Sequence, residues 1–262
     1  MTFDFDESGS GPTLLFVPGS YSTSSAWKGV LAALQGTYRT ISTSLPGYGG
    51  SVETRSDTVA DMSAMTDFLA RVVEHAGDGV HLVGHSFGGL TAVAATLSGQ
   101  VSPLSLITFE ANPVFSLPDT GRFAWETDIQ DMQHRFERAV ANGDSDAAGL
   151  IIDFWSQSGV FDAMPVPVKE FCRATAFTNV LDWRAAAGFT PRMSQYSAID
   201  APMTMVRGEL AIQPLIEITD AIVGQAPAAR LQVVPGAGHF LISTHADECA
   251  RIIDDHMRNQ VP

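Results

Sequence analysis

Cysteine is almost absent from this chain. Of 262 residues only Cys172 and Cys249 are cysteines, which excludes a disulfide framework and a cysteine-based zinc site. Each reads as a small buried hydrophobe rather than a reactive thiol. Basic residues are scarce as well: 15 stand against 29 acidic ones, for a net charge of −14 and a pI near 4.7. That sign cannot replace the counterions of a nucleic-acid backbone, and it disfavours an anionic membrane surface. Otherwise it speaks of solubility. No apolar run approaches the roughly 18 residues of a spanning helix. The acidic start, Met1-Thr2-Phe3-Asp4-Phe5-Asp6-Glu7, lacks the apolar stretch of a secretory signal. Disorder is excluded too, because 45% of the residues are apolar. The expectation is a cytoplasmic protein with a small-molecule substrate, no nucleic-acid or membrane partner, and no metal or cofactor; nothing sets an oligomeric state.

What is present is a rhythm. Thr13-Leu14-Leu15-Phe16-Val17 is a continuous apolar run stopped by Pro18-Gly19, as suits a strand covered on both faces. Trp27, Val30, Leu31 and Leu34 recur at helical spacing, and Arg39 to Leu45 reads as a second strand. Val59, Met62, Met65, Phe68, Leu69, Val72 and Val73 mark an amphipathic helix with Gly77 as its stop. Val80–Val83 and Leu104–Phe109 are further strands around a helix at Leu90–Leu97. Strand and helix alternating in this way argue for an α/β fold, a parallel sheet with helices on both faces.

From about Asn112 to Asp200 the strands stop. Helical patterns cover Phe123 to Val140, Ala147 to Trp155 and Val168 to Ala187, with Pro165-Val166-Pro167 as an interruption. Strands return at Met203–Val206 and Leu231–Val234, with helices at Leu215–Val223 and Ala246–Met257. The organisation expected is a core of residues 1–111 and 201–262 holding a helical insertion, 112–200.

The strongest chemical signal is Gly84-His85-Ser86-Phe87-Gly88-Gly89, a Gly-x-Ser-x-Gly sequence directly after a strand and before a helix. That context makes a nucleophile elbow: a turn too tight for β-carbons at Gly84 and Gly88 that lifts Ser86 to the sheet edge. The N–H of Phe87 then faces a developing oxyanion. A serine needs a base, and histidine titrates in the right range. Of the seven histidines only His239, in Pro235-Gly236-Ala237-Gly238-His239, lies in a glycine-rich loop just past a strand and C-terminal to the serine. His75, His134, His245 and His256 read as surface residues of helices, and His85 as packing beneath the elbow. A second oxyanion donor falls to the loop Val17-Pro18-Gly19-Ser20-Tyr21, through the N–H of Ser20 before that of Tyr21.

These motifs, with Leu45-Pro46-Gly47-Tyr48-Gly49-Gly50-Ser51, resemble the α/β-hydrolase superfamily over nearly the whole length. The resemblance implies the α/β-hydrolase fold, a mostly parallel central sheet flanked by helices, and makes residues 112–200 the helical cap, or lid, placed after the family's sixth strand. It also exposes a departure. Most members carry the acid of the triad after the seventh strand, in a Gly-x-x-Asp turn, and here that turn reads Gly208-Glu209-Leu210-Ala211. Ala211 cannot orient a histidine. Glu110, 24 residues after Ser86 at the end of the sixth strand, is the preferred acid, since some members, certain haloalkane dehalogenases among them, carry it there. Glu209 stays the alternative, as does a degraded triad.

The dehalogenase likeness ends with the nucleophile. Those enzymes use aspartate, because displacement at carbon needs a carboxylate ester intermediate, whereas serine favours an acyl carbon. The leading expectation is a serine hydrolase of a small or medium apolar carboxylic ester or lactone, with a Ser86–His239–Glu110 triad and an acyl-enzyme. Alternatives on the same fold are a C–C bond hydrolase, a cofactor-free haloperoxidase (perhydrolase) or a cofactor-free dioxygenase; a slow-turnover ligand sensor is a further one. Trp155 and Trp183, with Tyr21, are expected to line an apolar pocket under the cap, and Met193 to Tyr196 its entrance. Of the arginines in the insertion, Arg122, Arg135, Arg138, Arg173, Arg184 and Arg192, none stands out as an anion clamp.

Overall fold

The computed structural model describes residues 2–120 and 125–260. Seven strands, β1 (Phe5–Gly9), β2 (Thr13–Val17), β3 (Arg39–Thr43), β4 (Val80–His85), β5 (Ser105–Phe109), β6 (Met203–Gly208) and β7 (Ala229–Val234), form one sheet in the order β1-β3-β2-β4-β5-β6-β7. All neighbouring pairs are parallel except β1 with β3. The family's sixth strand is therefore the fifth here. Strands β2, β4 and β5 are buried along their whole length, as their unbroken apolar runs require of central strands covered on both sides.

Alternation divides the sheet's two cores. Leu15 and Val17 face one layer with α2 (Met62–Ala76), α3 (Ser86–Leu97) and α9 (Gln213–Gln225). Leu14 and Phe16 face the other, with Trp27, α1 (Lys28–Ala33), the short α10 (Leu241–Thr244) and α11 (Ala246–Arg258). Helix α2 starts later than the periodicity predicts. Asp61 caps it by accepting from the N–H groups of Ser63 and Ala64, while Val59 lies outside it and exposed. Its far end is Gly77 with φ 86°, a conformation that favours glycine.

Between β5 and β6 the described regular elements are all helical. They are α4 (Glu126–Ala141), α5 (Ala148–Trp155), α6 (Val160–Ala163), α7 (Val166–Ala174) and α8 (Ala176–Gly188), with 3₁₀ turns at Val114–Thr120 and Met193–Ala198. Phe123, where the first of these helices was expected to begin, and Arg122 lie outside the described residues. Pro167 opens α7 instead of breaking it, because a first-turn proline forfeits no helical bond. The single helix expected over Val168 to Ala187 is two, separated at Thr175.

Three further expectations change. Strand β1 was not foreseen: Phe5-Asp6-Glu7-Ser8-Gly9 is exposed throughout and is held by its ladder to β3. His256 is buried rather than superficial, its Nδ1 2.7 Å from the Thr204 hydroxyl, and burial lowers its pKa to about 4. Met193 and Tyr196 pack into the core instead of an entrance. No described helix is long and apolar enough to cross a membrane.

Candidate active site

Strand β4 delivers the serine. His85 is still extended, and Ser86 follows at φ 51° as the first residue of α3, a left-handed conformation a serine holds only under constraint. The constraint is visible in the glycines. A β-carbon on Gly84 would lie 2.6 Å from Gly89 Cα, and one on Gly88 2.2 Å from the Pro18 carbonyl oxygen. The turn therefore closes tightly against β2, and Ser86 projects at the sheet's C-terminal edge. Phe87 stands in the first turn of α3, where N–H groups have no intrahelical acceptor.

The loop after β7 brings the imidazole. His239 Nε2 is 3.0 Å from Ser86 Oγ, and its Nδ1 is 3.2 Å from Glu110 Oε2. A carboxylate only accepts, so the proton sits on Nδ1 and the Nε2 lone pair faces the serine. Glu110 itself has φ 51° and is wholly buried. Its N–H donates to the Val206 carbonyl at 2.8 Å, and its Oε1 accepts from the Gly208 N–H at 2.6 Å. The kink turns its side chain beneath the end of β6, towards the histidine loop. Gly208 is obligatory there, since a β-carbon would sit 2.1 Å from the Ala237 oxygen.

Glu209, the alternative acid, points elsewhere. It is exposed, and its Oε2 accepts from the Gly236 N–H at 2.8 Å. His85 lies beneath the elbow, with Nε2 2.9 Å from the His239 carbonyl. A carbonyl cannot donate, so Nε2 carries the proton. Burial, then the neighbouring His239, pushes the His85 pKa down to about 3, and this ring serves as a neutral tie to the loop's main chain.

The loop after β2 runs against the elbow. A β-carbon on Gly19 would be 2.9 Å from Ser86 Cβ, and Tyr21 has φ 57°. Ser20, Tyr21 and Phe87 all line a cavity of about 240 Å³ that opens on Ser86 and His239. Trp155 and Trp183 line it too. Trp155 stacks on His239 at 5.6 Å between ring centroids, and on Trp183 at 5.8 Å. Seven of the nominated residues, Ser20, Tyr21, Ser86, Phe87, Trp155, Trp183 and His239, thus surround one space, with Glu110 behind His239; Glu209 and the Met193–Tyr196 turn lie outside it. Both cysteines are buried, and burial pushes their thiols up to about 11 for Cys172 and about 12 for Cys249. Among the described residues no group of three or more His, Cys, Asp or Glu side chains is arranged to hold a metal.

The model of the alpha/beta hydrolase family matches residues 14–252, from β2 into the last helix. The chain belongs to the alpha/beta hydrolase family. A pimeloyl-[acyl-carrier protein] methyl ester esterase of Edwardsiella ictaluri is 26% identical to it, with 92% of each chain covered. A fluoroacetate dehalogenase of Burkholderia is 24% identical, over 95% of this chain and 88% of that protein. Among solved structures, a thermophilic esterase from Thermogutta terrifontis superposes with a TM-score of 0.74 at 22% identity, covering 99% of this chain and 94% of the other.

In this hydrolase the site also contains residues the sequence did not announce. Asp182, on α8, is 2% exposed and accepts from Arg55 Nη1 at 2.6 Å, the Tyr48 hydroxyl at 2.7 Å and the Ser20 hydroxyl at 2.6 Å. Burial opposes the charge on Arg55, but Asp182 and Glu53 outweigh it and hold the guanidinium firmly protonated. Asn112 and Asn179 line the cavity as well. The local signal for Asp182 was a lone carboxylate in the apolar stretch Val180-Leu181-Asp182-Trp183, which its pairing with the fully buried Arg55 side chain explains only once the fold is known.

Proposed function

We propose that this protein is a serine hydrolase of a small or medium apolar carboxylic ester or lactone. The observation that carries this reading is the unbroken line from Ser86 Oγ through His239 to Glu110, at 3.0 and 3.2 Å. Ser86 Oγ bonds to the acyl carbon as His239 Nε2 takes its proton, and the carbonyl π pair moves onto oxygen. The N–H groups of Phe87 and Ser20 receive that oxyanion, each lowering the barrier by about 2.7–4 kcal/mol. Collapse breaks the bond to the leaving oxygen, which takes the proton from His239. Water then repeats both steps on the acyl-enzyme. Glu110 holds the Nδ1–H tautomer and offsets the charge of the imidazolium. Residues 112–200 act as a cap over a core formed by residues 1–111 and 201–262, with Tyr21, Trp155 and Trp183 as pocket walls. The face of Trp155 on His239 also favours the imidazolium, as an aromatic face attracts a cation.

The esterase among the relatives supports acyl chemistry, and a serine in the nucleophile position speaks against displacement at carbon. Labelling with a fluorophosphonate probe tests the reading. The wild type is expected to react, and Ser86→Ala to remain unlabelled. Equal labelling of both proteins would remove Ser86 as an activated nucleophile.

A further inference from the structure

The cavity is not uniformly apolar. Three of its lining side chains carry a buried polar atom with no partner among the described residues: Tyr21 Oη, Asn112 Oδ1 and Asn179 Oδ1. Leaving such an atom unpaired in a buried site is costly, so three around one space ask for a ligand. Their chemistry says which. Asn179 is 2% exposed, and its amide nitrogen faces Asp182 Oδ2 at 3.5 Å. That contact is long, but the carboxylate attracts the NH₂ end, so Oδ1 turns away as an acceptor without a donor. Burial, with Cys172 and Asp182 nearby, raises the Tyr21 phenol well above its usual value, so Oη keeps its proton and both donates and accepts. The described lining holds no lysine or arginine. Arg55, which reaches the lining residue Asp182 from behind, is consumed by Asp182 and Glu53.

We propose that the cavity contains a subsite for a neutral hydroxyl group of the substrate, which donates to Asn179 Oδ1 and is flanked by Tyr21 Oη. The subsite rests on the ester or lactone reading above and narrows it: the preferred substrate is a hydroxylated ester or lactone. A carboxylate would meet two acceptor oxygens and Asp182 with no cation to receive it. An ammonium would forfeit its hydration for a carboxylate already neutralised by Arg55.

The test separates the subsite from the reaction. Binding to the Ser86→Ala protein is followed by the fluorescence of Trp155 and Trp183, which line the cavity. The probes are ethyl hexanoate, ethyl 3-hydroxyhexanoate, ethyl 6-hydroxyhexanoate, 2-hydroxyethyl hexanoate, monoethyl adipate and ethyl 6-aminohexanoate. At least one hydroxy ester is expected to bind threefold or more tighter than ethyl hexanoate, and tighter than the charged pair. One neutral hydrogen bond supports a margin of about three- to tenfold. Asn179→Leu should bring the ratio of hydroxy to plain ester towards one. Tyr21→Phe, which keeps the ring, should reduce it even if the leucine variant does not fold. The proposal is overturned by a margin under threefold for every hydroxy ester, by tighter binding of the carboxylate or ammonium ester, or by a margin that survives the substitutions. Turnover of the same esters by the wild type reports on the reaction alone. Hydroxyl preference without any hydrolysis would sink the esterase reading and leave the subsite standing; hydrolysis without preference would do the reverse.

Discussion

The C-terminal edge of the sheet and the helices between β5 and β6 build the same cavity by different means. At the sheet edge, position is set by the main chain. Ser86 and Glu110 each sit at φ 51°, and Gly84, Gly88 and Gly208 have no room for a β-carbon. In the helical segment, Trp155, Asn179, Asp182 and Trp183 ride on α5 and α8 and reach the cavity through their side chains. The two regions are tied by Asp182, whose acceptors hold Ser20, Tyr48 and Arg55 from the sheet side. Under the proposed function the difference implies a division of labour: the edge would set which bond is attacked, and the helices which molecule is admitted. Damage to the first should appear in kcat, and damage to the second in stability and selectivity.

The sharpest break in that comparison is Glu110→Gln. A glutamine cannot accept from both the Gly208 N–H and His239 Nδ1–H while keeping its NH₂ satisfied, so the imidazole loses its tautomer. Loss of the corresponding orientation in a serine triad costs roughly 10⁴ in kcat, and a similar fall is expected here, measured on any ester the wild type hydrolyses. A variant within tenfold of wild type would show that Glu110 does not orient His239.

Next is Asp182→Ala, which tests whether the helical segment is fastened through this carboxylate. Removing one partner of a buried ion pair strands the other, at a cost of about 3–5 kcal/mol. Chemical denaturation should report that loss, and a fall below 1 kcal/mol would mean that Glu53 suffices for Arg55. Because Asp182 also holds Ser20, kcat should drop in the same variant, whereas the Asn179→Leu change acts on substrate choice.

The edge was legible in the sequence because its demands fall on main chain and on glycine, which leave marks at fixed offsets: Gly84, Ser86 and Gly88, then Gly236 and Gly238 before His239. Glu110, which the structure sets beside His239 Nδ1, was singled out by contrast with Ala211, whose methyl group cannot accept a hydrogen bond from an imidazole. The fastening was not. Asp182 meets Arg55 and Ser20 across 127 and 162 residues, and no local pattern announces a partner so distant. Strand β1 escaped for the opposite reason: exposed on both faces, it has no hydrophobic alternation, and its ladder to β3 leaves no trace in side-chain type. His256 reads as superficial from helical position alone, yet α11 packs it against Thr204.

Gly88→Ala probes the edge without touching a reacting group. The added carbon meets the Pro18 and Val17 carbonyl oxygens, 2.2 and 2.5 Å away, which are main chain and cannot swing aside. Overpacking of this kind costs about 3 kcal/mol. Thermal melting should show it, together with slower fluorophosphonate labelling, since the elbow must open for α3 to shift. An unchanged melting temperature would mean that the elbow has slack, and that the φ of Ser86 is not enforced by close contact with β2.

The smallest effect expected is that of Glu209→Gln, and its smallness is what gives the Glu110 result its meaning. Glu209 stands two residues before Ala211, the position where most members of the family keep their acid, and it touches the histidine loop through the Gly236 N–H. A glutamine keeps an acceptor for that N–H, and the side chain is exposed, so stability should move by less than about 0.5 kcal/mol. The rate should stay within about twofold, because charge this exposed is screened before it reaches His239. A fall approaching that of Glu110→Gln would transfer the acid's role back to the family's usual turn, and the buried hydrogen bond between Glu110 and His239 would then serve the loop's structure rather than the proton.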